Sequence, residues 1–376
     1  MPQSTHPNLP RLLLPASSDL PIAHQQNSDG AQGSSFDAEF RRLNSLLNSG
    51  ETLPDADSIR SELARLAASV KSATGYVDDH AFNGLELRNN LSVMLGDVDN
   101  ERRRLEEFAI YDEYFGVSRS LAYSREDLAA NVKETVSRLF DDLVHSLLNM
   151  DDVAALVHAS QVMLRDSDGA GETYQDLPGV AVGVNFEGTY MGDPEYRWRL
   201  GHHFFALAAE FSRHYLITAT GRLSDAPPDE IADLINLARH SLRGTTAAMW
   251  HASNMSQSVY MERVRPSMED VQPGGFAGTQ NLDYERLKNA RTAAIAKACE
   301  IYGSSLDNFP PAVREAFIAH CEAEIEDLEH HTLIAASKVN MNPSLLHKGG
   351  AAFPAVEMLR VMARGRREEL DMFLDA

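Results

Sequence analysis

The chain has 376 residues, 43% of them hydrophobic, enough to build one large helical domain or two smaller ones around a sizeable cavity. Its formal net charge of -21 excludes a polyanionic partner, because nucleic-acid affinity comes mainly from clustered Lys and Arg on phosphates. Two cysteines, Cys299 and Cys321, are too few for a disulfide framework or a thiolate zinc site, and no apolar run is long enough to span a bilayer, so the expectation is a cytoplasmic protein with no membrane contact.

Residues 1–35 are rich in Ser, Pro, Gln, Asn and Gly and read as a disordered or loosely attached arm, with Leu12, Leu13 and Leu14 its one apolar run. From Phe36 onward the periodicity is helical. Phe40, Leu43, Leu46 and Leu47 recur at helical spacing, as do Ile59, Leu63, Leu66 and Val70. A further helix is expected from Arg125 to Leu148, with Leu128, Val132, Val136, Leu139 and Leu143 on one face. The Gly-rich, β-branched stretch Leu177 to Tyr190 reads as extended chain or loop and separates an N-terminal helical region, 36–180, from a C-terminal one, 181–376. The second region begins with the most apolar helix, from about Glu195 to Thr220, stopped by Gly221 and the turn residues Asp225, Pro227 and Pro228. A long helix from about Asp229 to Arg263 is expected to end before Arg265-Pro266, and Asn281 to Ile301 and Pro311 to Val339 complete the set. The fold class is all-α, a helical bundle with long functional loops.

Within this frame one segment stands out chemically. Adjacent histidines, His330 and His331, lie on the last of these helices, which runs into a glycine-broken turn at Gly349 and Gly350. A neutral imidazole on a rigid helix suits a haem iron, and a flexible loop after it suits a cover over a small molecule. The acidic neighbours Glu326, Asp327 and Glu329 also fit partly exposed helix residues, and sequence alone does not say which group would orient the ring.

Tyr190-Met-Gly192-Asp-Pro194, a long helix, Arg265-Pro266, Val271, Gly274-Gly275, a late helix with His331 and the pair Gly349-Gly350 follow one another in an order that resembles the histidine-ligated haem enzymes of the tryptophan and indoleamine 2,3-dioxygenase superfamily, nearest to the monodechloroaminopyrrolnitrin synthases. The resemblance covers about Tyr190 to Arg360. It implies haem b as cofactor, His331 as proximal iron ligand with His330 the neighbouring alternative, and a small-molecule substrate, an amino acid or an aromatic derived from one, oxidised with dioxygen in secondary metabolism. It places His202, in Gly201-His202-His203-Phe204-Phe205, where the family lines the distal pocket, so that His202 would hydrogen-bond bound oxygen or take a substrate proton. Phe205 would then wall a planar ligand, although buried aromatics are ordinarily plain core. Gly349 and Gly350 resemble the turn that closes over the substrate, but Ala351, Ala352 and Phe353 follow where the dioxygenases carry threonine, which speaks against unmodified tryptophan. Arg265 suits a haem propionate or a substrate carboxylate, as do Arg197 and Arg199, of which one must point away from the other. A homodimer is compatible with all of this.

Other chemistry fits some of the same residues. Glu210 and His214, like Glu326 and His330, are four apart on one helical face, and such pairs on facing helices hold non-haem di-iron centres. A non-catalytic helical scaffold would need only the apolar helices and the acidic surface.

Overall fold

Local signals place the helices of the computed structural model, which describes residues 9, 11–15, 20–22, 36–47, 56–73, 108–120, 123–146, 150–168, 192–271, 281–339 and 355–375. Helices α1 (Asp37–Leu47) and α2 (Ala56–Ser72) bury the expected stripes, Phe40, Leu43 and Leu47 on one and Ile59, Leu63, Leu66 and Val70 on the other. In front of α3 (Arg125–Leu143) stands Ser124, whose side chain accepts from the Asp127 N–H while the Asp127 carboxylate takes the Ser124 N–H, so two otherwise orphaned helix donors are satisfied at once. This helix stops at Leu143, short of the expected Leu148, as the N–H groups of His145 and Ser146 bond back three residues and tighten the last turn. Helix α4 (Met150–Asp168) was not singled out by periodicity, because apolar residues lie around much of its circumference.

Strand β1 (Leu12–Pro15) pairs in parallel with β2 (Val117–Ser120), in the register Leu12 to Val117 through Pro15 to Ser120. This part of the segment expected as a loose arm is therefore tied down. Its backbone finds partners that composition does not reveal: the Leu12 N–H bonds to Gly116 O at 3.0 Å and the Leu13 N–H to Asn131 Oδ1 on α3 at 3.0 Å. Leu12 and Leu14 are buried beneath it, and Arg119 of β2 makes a buried fork to Asp112, Nε to Oδ2 2.8 Å and Nη2 to Oδ1 2.9 Å.

Helix α5 (Pro194–Arg222) and helix α6 (Pro228–Ala252) are the two longest apolar elements of the middle of the chain. The expected break before Arg265-Pro266 is not where α6 ends. The chain leaves helix at Ser253–Ser256, where the Ser253 hydroxyl bonds the Trp250 carbonyl, and Ser256 then caps α7 (Gln257–Val259). A π turn, Tyr260–Val264, leads directly into α8 (Arg265–Val271), so Arg265-Pro266 opens a helix instead of a loop. In the π turn the Arg265 N–H reaches the Tyr260 carbonyl five residues back, and Pro266, which has no N–H to donate, follows directly. Helix α9 (Leu282–Tyr302) starts at the cap Asn281 and ends at Gly303, whose φ of 98° lies in the region that favours glycine. A 3-10 turn (Leu306–Asn308) then leads to α10 (Pro311–Val339), whose bounds are those expected, and α11 (Ala355–Asp375) follows. The all-α expectation holds, with the two short strands as its one departure among the described residues.

The chain divides into two compact units, Met1–Leu207 with Ala247–Met255 and Ala208–Thr246 with Ser256–Ala376. Helices α5 and α6 each continue across these bounds, and a boundary inside a continuous helix leaves no composition signal. In the first unit α2 packs on α1 and α3, and α4 on α1 and α3, with Phe40 and Phe140 edge to face at 6.3 Å. In the second, α10 and α11 form the main helix pair.

Candidate functional site

The second unit holds the residue expected as iron ligand. His331 lies on α10, its side chain 29% exposed, with Nδ1 3.1 Å from the backbone oxygen of Asp327 one turn earlier and 3.5 Å from Asp327 Oδ2. Asp327 is fully buried and is itself anchored from α6, where the Thr246 hydroxyl donates to Oδ1 at 2.7 Å, and from α9, where the Tyr284 hydroxyl stands 3.5 Å from Oδ2. Burial works against the Asp327 charge, but the His331 imidazole beside it outweighs that and holds the carboxyl below the usual range. The converse applies to His331, where burial lowers the imidazole and the Asp327 charge more than compensates, for a net rise. With Nδ1 engaged, Nε2 of His331 has no partner among the described residues. A ring held through one nitrogen by a backbone carbonyl, with a carboxylate 3.5 Å from the same nitrogen and the other nitrogen open, is how metal-ligating histidines are set up, so these residues fit a haem iron.

The other expected residues are placed as follows. Arg265 is in α8, its Nε 3.2 Å from Glu269 Oε1 one turn on, a local ion pair in place of the loop position expected. Gly349 and Gly350, like Tyr190, Gly274, Gly275 and the stretch Leu177 to Tyr190, lie outside the described residues. His202 and Phe205 belong to the first unit. His202 stacks on Phe115 at 4.0 Å and 18°, meets Trp198 at 4.4 Å, and its Nδ1 is 2.7 Å from the Trp198 carbonyl oxygen. Phe205 is buried core, and the helix is close-packed here because a Cβ on Gly201 would come 2.5 Å from Ala252 Cβ. His203 donates through Nε2 to the Phe115 carbonyl oxygen, and burial pushes its imidazole down to about 4.

The two Glu and His pairs of the di-iron reading are not assembled into a centre. Glu210 is held by Arg213 at 2.9 Å and faces Arg286 at 3.7 Å, Glu326 is 47% exposed and faces Arg243 at 3.8 Å, and no group of three or more His, Cys, Asp or Glu comes together among the described residues.

Two buried clusters escaped the sequence reading. In the first unit Asp142 Oδ2, on α3, accepts from Arg197 Nε on α5 at 2.6 Å and lies 3.0 Å from His251 Nε2 at the end of α6. Arg197 also donates to the Asn254 carbonyl at 3.1 Å, so Arg197 turns inward while Arg199 lies over the Tyr114 ring at 4.8 Å. Burial opposes the Asp142 charge, yet His251 and Arg197 hold it well below the carboxylate range; burial lowers His251 in turn, against the opposing pull of Asp142. In the second unit His320 is 2% exposed, its Nε2 has no partner among the described residues, and burial with the charges of Arg291 and Arg239 pushes it down to about 3. Helical periodicity marks such positions as core, but a histidine or arginine there gives no sequence signal of its partner.

These two depressed histidines set a pH dependence. In the unfolded chain His203 and His320 bind protons below about 6.5, while the folded state refuses them down to about 4 and about 3. Stability is therefore complete above about pH 6.5 and falls as pH drops below it, with a slope approaching about 1.4 kcal/mol per pH unit for each histidine. Urea midpoints at neutral and mildly acid pH measure this, and an unchanged midpoint would show that neither imidazole is buried neutral.

Among the described residues no helix is long and apolar enough to cross a membrane. No curated protein and no solved structure matches the chain. One protein family does, described as SfmD 3-methyl-L-tyrosine peroxygenase, over residues 46–314. The match takes in His202, Phe205 and Arg265 and ends before His331, whose geometry therefore stands as an independent observation. With well over half of its residues matched, the chain belongs to the SfmD 3-methyl-L-tyrosine peroxygenase family, a haem-dependent family related to the tryptophan and indoleamine 2,3-dioxygenases.

Proposed function

We propose that this protein is a haem peroxygenase that hydroxylates 3-methyl-L-tyrosine or a close aromatic amino acid, with His331 as the residue that would hold the iron. The observation that carries the reading is the Asp327 to His331 contact, in which Nδ1 is held and Nε2 is left open on a long, rigid helix. When bound, haem supplies the redox chemistry for cleaving the peroxide bond. The chain's own part begins with the ring. A proton on Nδ1 directed at Asp327 fixes the tautomer in which the Nε2 lone pair is free, and the buried negative charge makes that lone pair a stronger donor. Thr246 and Tyr284 hold the carboxylate so that it does not follow solvent.

The family name points to a peroxide as the oxygen source, where the residue resemblance led to dioxygen. The balanced reaction converts an aromatic C–H and hydrogen peroxide to a phenol and water, so no external reductant is consumed. Both lines of argument agree on the substrate class, an amino acid or an aromatic compound derived from one. The protein with bound haem, given 3-methyl-L-tyrosine and hydrogen peroxide, is expected to yield a product heavier by one oxygen atom on mass spectrometry. A haem-loaded protein that leaves the amino acid unchanged would remove the substrate assignment, and a protein that takes up no haem would remove the whole reading.

A further inference from the structure

We propose that a cavity in the second unit, enclosed by α9, the 3-10 turn, α10 and α11, binds an uncharged molecule with an aromatic or branched aliphatic body, at a site separate from His331. Gly303, with its φ of 98°, ends α9 and turns the chain so that Leu306 and Phe309 close one end of the space. The cavity measures about 380 Å³, within the range of small-molecule sites. Ile295, Phe317, Ile318 and Leu370 complete its apolar walls. Phe309 and Phe317 stand edge to face at 6.2 Å, and Tyr302 backs Phe309 at 5.1 Å, so one wall is built of aromatic rings. Such a lining rewards burial of apolar area and offset ring contacts.

The charged groups that reach this space are already engaged. Glu324 bonds to Arg291, Arg366 Nε stands 3.5 Å from Glu324 Oε1, and both arginines have further interactions, so these charges are spent within the protein. The Thr292 hydroxyl, also in the lining, donates to the Lys288 carbonyl at 3.0 Å. A charged ligand would give up its water and compete with contacts already made, whereas an uncharged one gives up little and covers the same apolar wall. Selectivity is therefore for the neutral molecule. The iron ligand lies elsewhere on the same helix: Cys321 lines the cavity and precedes His331 by about 15 Å of α10, at about 1.5 Å per residue. The inference rests on these lining residues alone and holds whether or not His331 carries haem.

The test uses the full-length protein as isolated, with hydrocinnamyl alcohol as probe and hydrocinnamate and hydrocinnamylamine as its anionic and cationic counterparts, all by titration calorimetry. Cys321 lines the cavity and Cys299 does not, so alkylation by iodoacetamide followed on the two peptides reports where the probe sits. The alcohol is expected to bind about tenfold more tightly than either charged counterpart, to slow alkylation of Cys321 and to leave Cys299 unchanged. Ile318→Trp fills the cavity from α10 and is expected to abolish binding of the alcohol. Should that variant fail to fold, Thr292→Trp fills the cavity from α9 at an exposed position and is expected to do the same. No binding of the alcohol, equal or tighter binding of the acid or the amine, binding without protection of Cys321, or full binding in a folded filled variant would each overturn the proposal.

Discussion

Substituting His331 by alanine is expected to leave a protein that folds but does not retain haem, so that the intense Soret absorption is lost. The side chain is partly exposed, so its removal opens no core cavity, and Asp327 keeps the Thr246 hydroxyl; the haem-free protein should still fold, with a lowered thermal stability from the loss of the imidazole beside that buried carboxylate. Added imidazole should restore part of the absorption by occupying the vacated ligand position. His330→Ala is the control, because the neighbouring residue points about 100° around the helix. Asp327→Asn tests the buried charge separately: it keeps the Nδ1 bond to the backbone oxygen and removes the carboxylate charge beside the ring, so haem binding should weaken by at most the about 10- to 100-fold typical of an outer-shell partner, short of the complete loss expected for His331. A normal haem spectrum in His331→Ala, with or without loss in His330→Ala, would show that the ligand lies elsewhere.

Asp142→Ala is expected to destabilise the protein by roughly 3 to 5 kcal/mol, the usual result of removing one partner from a buried ion pair. Arg197 is fully buried, and the alanine variant takes the carboxylate away from its Nε while leaving the bond from Nη1 to the Asn254 carbonyl. The cluster joins α3, α5 and the end of α6 within the first unit, so the loss should appear as a large fall in the urea midpoint. Asp142→Asn keeps an acceptor at the same place and should lose less. A fall of under about 1 kcal/mol for the alanine variant would mean that water or a rearranged side chain takes up the Arg197 charge, and that the cluster is not a structural clasp.

What sequence alone determined is whatever is decided within a turn or two of helix. The stripes of α1, α2 and α3 and the start of α9 at Asn281 were legible because capping and amphipathic periodicity are local. The family resemblance was legible as well, through the order of its motifs, and the matched family agrees with it at the level of haem oxidation. Tertiary structure decided the rest. Leu12–Pro15 became a strand only because β2 and Asn131 offer partners from distant parts of the chain. Which of Arg197 and Arg199 turns inward depended on Asp142, on another helix. The acid that orients His331 shows the limit most clearly, since Glu326 to His330 and Asp327 to His331 have the same spacing of four. Glu326 is nearly half exposed and faces Arg243, while Asp327 is fully buried and anchored by Thr246 from α6. Spacing puts a carboxylate and an imidazole on one face; burial and a fixed second partner, which only packing supplies, decide which pair holds its geometry.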